Sequence, residues 1–204
     1  QGSGMARSYD YIIVGAGNIY ATSSNANTAQ SGGLTIFSPG GAKLTDVNLN
    51  TAGYAPGITK MVKGGDGAIY ALQNWREPAW NYNKGINRVI RIDSSGAVTQ
   101  IYSPGAASDA NQLSGLAVNP ATGVVYWTKS GSGDKYNYLW KYDPANSGAG
   151  AVNCQPGVNN GWSDSDYLLN LEYTGNGFVS VVNSGGATWS QDPMTETAVR
   201  VTGL

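Results

Sequence analysis

Histidine is missing from all 204 residues of this chain, and cysteine occurs once. Without imidazole there is no Ser-His-Asp or Cys-His catalysis, no histidine metal site and no side chain that titrates near neutrality at its ordinary pKa. A lone Cys154 forms no intrachain disulfide and no cysteine-cluster metal site, and reads as a small, partly buried filler. Charge is scarce as well: 12 basic and 13 acidic residues make up 12% of the chain and nearly cancel. No basic tract is present, which argues against a nucleic-acid or anionic-membrane surface. Apolar runs are too short for membrane insertion, no signal-peptide pattern follows Met5, and no Asn-x-Ser/Thr sequon occurs. No window carries a 3.6-residue apolar period with caps, so almost no helix is expected. The opening QGSGM reads as a protease scar and linker. Residues 1–7 are set aside as an expression scar, expected to be disordered, ahead of one domain at 8–204.

What is abundant is glycine, 29 residues, together with Asn, Ser and Thr. This is a β-rich, turn-rich composition, common in secreted and cell-surface modules. The stretch YDYIIVGAGNIYATSS, Tyr9 to Ser24, resembles the opening of a dinucleotide-binding enzyme, but three requirements fail. The third glycine of G-x-G-x-x-G would fall at Tyr20, the following ATSSNANTAQSGG is a poor helix, and no acidic ribose ligand stands some twenty residues on. The same pattern recurs instead as ITKMVKGGDGAIYALQNW, LSGLAVNPATGVVYWTKSG and LLNLEYTGNGFVSVVNSG. Each is a strand, a tight turn and a second strand, with aligned Gly17, Gly67, Gly123 and Gly177 at spacings of 50, 56 and 54. Gly15 and Gly17 are therefore hairpin glycines.

Second halves correspond too: GGLTIFSPGGAKLTDVN, NRVIRIDSSGAVTQIYS and YLWKYDPANSGAGAVNCQ each give strand, turn, strand, and TAVRVTGL gives one more. Four-stranded units at a period near fifty describe the blades of a β-propeller. The segment LSGLAVNPATGVVYWTKSGSGDKYNYLWKYDPANSG, Leu113 to Gly148, resembles a blade of the YWTD and NHL-like propellers. Lys129 stands where the YWTD motif has its Asp, so the resemblance implies the blade and not that family's ligands. The expected fold is all-β, a small propeller of about four blades near 9–48, 58–103, 114–155 and 168–204, the last with three strands, or else part of a larger ring. Trp127 and Trp140 are expected to pack between blades, and Phe37 and Phe178 to lie in the core.

The connections between second and third strands are long and gather on one face, where long loops are usually functional. They carry Trp75, Trp80, Tyr82, Tyr136, Tyr138 and Trp189, and Trp162 lies between blades three and four. Aromatic faces flanked by amides and carboxylates suit a sugar, whose apolar C–H face stacks while its hydroxyls take paired hydrogen bonds. These seven aromatics, with Glu77, Asn83, Asn160 and Asp192 as polar contacts, form the candidate site. Among three glutamates, Glu172 falls on a predicted innermost strand, where it could face the channel, but no catalytic motif surrounds it or Glu77. Asp164 and Asp166 in SDSDY lack the Gly and Glu of a calcium loop and read as a solvated turn. No metal or cofactor is expected.

The sequence thus predicts a non-enzymatic recognition module of an extracellular or cell-surface protein, carbohydrate-binding and lectin-like. The alternatives are an adhesin or appendage component with a surface-protein partner, including a homo-oligomer that completes the open blade, and a carboxylate-dependent lyase or hydrolase.

Overall fold

The structure is a computed structural model that describes residues 11–15, 18–23, 33–49, 57–74, 87–104, 113–129, 139–154, 166–173, 178–184 and 195–201. Blade one holds β1 (Tyr11–Gly15), β2 (Asn18–Ser23), β3 (Gly33–Phe37) and β4 (Lys43–Asn48). Blade two holds β5 (Gly57–Lys63), β6 (Ile69–Asn74), β7 (Arg88–Ile92) and β8 (Val98–Tyr102). Blade three holds β9 (Leu113–Val118), β10 (Val125–Lys129), β11 (Leu139–Tyr142) and β12 (Val152–Asn153). Blade four holds β13 (Asp166–Tyr173), β14 (Phe178–Ser184) and β15 (Thr195–Val201). Every sheet is an antiparallel meander in chain order. The first strands adjoin one another, β1 beside β5, β5 beside β9 and β9 beside β13. They are the inner strands from which the blades radiate.

Blades two and three each pack between two neighbours, and this explains why their central strands are apolar on both faces. Along β6, Ile69 and Ala71 pack with Leu34, Ile36 and Val47 of blade one, while Tyr70 and Leu72 pack with Leu116, Val125 and Trp127 of blade three. Alternation persists, but it sorts side chains between two cores rather than between core and water. Full burial of each such aliphatic side chain contributes about 1.5–3 kcal/mol. The third seam joins Ala117, Tyr126 and Leu139 to Leu171 of blade four. Tyr102, from the outer strand of blade two, lies 5.4 Å from Trp127 and 4.6 Å from Trp140 between ring centroids. Both tryptophans therefore pack between blades, as their strand positions predict. Phe37 is only half-buried, because it ends its strand; the side chain of Phe178 lies outside the described residues.

Two polar clusters fasten the sheets. Buried Gln73 donates to the Leu49 carbonyl (2.8 Å), and the 9%-exposed Arg88 donates to Gln73 and to the same carbonyl (3.2 Å). These bonds tie β6 and β7 to the end of blade one, and burial lowers the Arg88 pKa. In the β5–β6 turn, Asp66 accepts from Tyr70 (3.1 Å) and from Arg91 (2.8 Å). Burial first, and the neighbouring Asp66 second, push the Tyr70 hydroxyl well above its ordinary pKa.

Two details depart from expectation. Pro144–Ala149 forms a 3-10 helix, started by Asp143, whose carboxylate accepts from Ala145 N at 2.9 Å, and by the proline that follows it. Asp166 opens β13, paired with Ser184, rather than sitting in a turn, while Asp164 lies outside the described residues. Residues 1–7 lie outside them as well.

Candidate functional site

The described residues line an open cavity of about 630 Å³ where the inner strands of blades two, three and four meet. Lys60, Val62 and Lys63 come from β5, Leu116 to Val118 from β9, and Glu172 and Tyr173 from β13; Gly64, Gly65 and Pro120 add the adjoining turns. The pocket is thus axial and lies at the short-turn end of the blades. A smaller recess of about 340 Å³, between Asp66, Thr122 and Pro144, flanks it.

Lys60 reaches this position through a β-bulge. Gly57 and Ile58 face Asn74 and Gln73 on β6, but the next partner of Leu72 is Lys60, so Thr59 is the extra residue. The insertion reverses the alternation. Ile58 and Met61 share the face packed on blade one, leaving Lys60 and Val62 to face the pocket. From there the Lys60 ammonium donates to the Leu171 carbonyl (3.2 Å) and pairs with the Glu172 carboxylate (3.1 Å). Both partners lie on blade four, so Lys60 reaches past blade three. Its side chain is 16% exposed and that of Glu172 is 65% exposed. A partly buried cation thus holds a solvent-facing carboxylate, and they share the pocket with Lys63 and with apolar Val62, Leu116, Val118 and Pro120. This arrangement can take a ligand that is anionic at one end and apolar along one face.

Of the residues singled out from sequence, Glu172 alone lines this cavity. Trp75, Glu77, Trp80, Tyr82, Asn83, Tyr136, Tyr138, Asn160, Trp162, Trp189 and Asp192 all lie outside the described residues. Lys60, Lys63 and Tyr173 were missed. Lysines in a strand read as solvated, and only the position of β5 at the axis distinguishes them. Among the described residues no cluster of three or more metal-ligating side chains occurs.

Solved structures share this arrangement of blades. A luciferin-regenerating enzyme matches at 12% identity and TM-score 0.55, over 97% of this chain and 64% of its own. A candidate gluconolactonase matches at 15% identity and TM-score 0.54, over 96% and 63%. The streptogramin B lyase matches at 13% identity and TM-score 0.52, over 95% and 54%. The fold is a β-propeller. The chain spans between 54% and 64% of the length of these three neighbours. No family model and no curated protein matches it. The expectation of a non-enzymatic module is corrected here, because this propeller architecture is shared with enzymes. The absence of histidine removes particular catalytic devices, not catalysis as a whole; carboxylate, lysine and tyrosine chemistry stays open to this chain.

Proposed function

We propose that this propeller binds a small acidic carbohydrate in its axial pocket. One observation carries the reading: Lys60, Lys63, Glu172 and Tyr173 converge on one cavity of about 630 Å³ whose other wall is apolar. That volume suits a ligand of one or two sugar rings. A carboxylate on the ligand would be held by the lysines, hydroxyls by Glu172, and the C–H face of the ring by Tyr173 and the aliphatic wall. Two cations against one carboxylate among these side chains favour an acidic sugar over a neutral one. Calorimetric titration with glucuronic and galacturonic acids, against glucose and galactose, tests the reading. The acids should bind and the neutral sugars bind far more weakly. Lys63→Ala should weaken the acids about tenfold, the loss of a charge-assisted hydrogen bond. Equal binding of acidic and neutral sugars, or none of either, would sink the proposal.

A second reading rests on the rim position of Glu172. A solvent-facing carboxylate held 3.1 Å from Lys60 would take the proton from the carbon beside the carboxylate of a bound sugar acid, the freed electron pair forming a double bond as the oxygen on the next carbon leaves. NMR spectra of the same mixtures would show turnover as new product resonances, abolished by Glu172→Gln. Unchanged spectra over days would leave binding alone.

A further inference from the structure

Among the described residues the fourth sheet has three strands where each of the others has four. In blades one to three the third strand is covered on its outer edge by a fourth: β3 by β4, β7 by β8, β11 by β12. The corresponding β15 has β14 on one side and, among the described residues, no strand on the other. It pairs with β14 over seven consecutive residues, from Thr195 opposite Ser184 to Val201 opposite Phe178, without a register shift. No bulge twists this edge away and no proline interrupts it. A long, regular strand edge is a template for another strand.

The order of residues in β15, TETAVRV, says which strand fits. Laid antiparallel against a second copy about a two-fold axis at Ala198, Glu196 of each chain stands opposite Arg200 of the other. Thr197 stands opposite Val199, and Thr195 opposite Val201. Directly opposed residues share a face, where unlike charges stabilise and like charges destabilise the pair. A shift of two residues either way separates both charge pairs, and a parallel in-register arrangement sets like against like. One two-fold axis makes both pairs at once, as a closed dimer requires. The other outer strands offer nothing equivalent: β8 (VTQIY) has no charge, β12 has two residues, and in β4 Lys43 is already paired with Asp46.

We propose that two copies of this chain associate through β15, joining their three-stranded fourth sheets into one continuous sheet by strand addition. This is independent of the axial ligand, whose pocket is built on the inner strands. Sedimentation velocity of the full chain, from low to high micromolar concentration, tests it. The wild type should show a monomer–dimer equilibrium. Glu196→Arg sets Arg against Arg200 twice and should weaken the dimer about tenfold or more, and Arg200→Glu should do the same with glutamates. An equimolar mixture of the two variants restores both charge pairs and should associate again. Far-UV circular dichroism and a thermal melt establish that each variant is folded. A wild type that stays monomeric throughout, as it would if a segment of its own chain covers β15, overturns the proposal. So does a dimer indifferent to either variant, or a mixture of folded variants that fails to associate.

Discussion

Cys154 packs half-buried against the core between blades three and four, and burial pushes its thiol up to about 11, with Lys141 opposing weakly. The folded value lies above the unfolded value of about 8.5. Stability from this group is therefore fully present below about pH 8.5 and is lost as pH rises through about 11. At pH 8 iodoacetamide should label the native chain about a hundredfold more slowly than the chain in urea, because the thiolate is the reacting species. Equal rates would mean that the native thiol is neither covered nor raised in pKa. The half-buried position was legible from residue type alone, since a lone cysteine behaves as a small apolar group. Phe37 was not legible in the same way: its apolarity points inward, but its place at the last residue of β3 leaves it partly open.

At the level of elements, the β7–β8 turn shows local chemistry that the sequence states outright. Asp93 accepts from Ser95 Oγ (2.6 Å), Ser95 N (2.8 Å) and Ala97 N (3.0 Å). The Ser95 hydroxyl foremost, then the Ala97 N–H, hold its carboxyl below the ordinary range. A depressed pKa gives stability present above the unfolded value of about 3.9 and lost as pH falls through the folded one. Asp93→Ala should therefore melt below the wild type at pH 7, and the two melting curves should converge in acid; a gap that persists there would assign the effect to something other than this charge. DSSG announced such a turn because its hydrogen bonds span a few residues. The bulge at Thr59 was not announced. Strict alternation through Ile58, Lys60 and Val62 puts all three on one face, and only the pairing with β6 reveals the extra residue that turns Lys60 to the axis.

At the scale of the whole molecule, blades two and three meet glycine against glycine. A Cβ on Gly65, in the β5–β6 turn, would come within 2.4 Å of the Cα of Gly123 in the β9–β10 turn, far inside any real non-bonded carbon–carbon contact. Gly123 has φ +75°, so neither turn can yield cheaply. Gly65→Ala should cost roughly 1–3 kcal/mol in urea unfolding. Gly148→Ala, whose added methyl meets nothing within 4 Å, should cost far less. Equal losses would dissolve the claim that this seam is sterically closed. The period of the glycines made the blades legible, but not the cavity. Lys60, Leu116 and Glu172 are neighbours only because the strands radiate from one axis, and no pattern in the chain marks that meeting. It follows that the cavity has a birth date during synthesis. A ribosome that has released blades two and three has made two of its walls, and the side chain of Lys60 has no carboxylate to meet until Glu172 has left the exit tunnel. Capture of a ligand there would report, chain by chain, that the fourth blade has arrived.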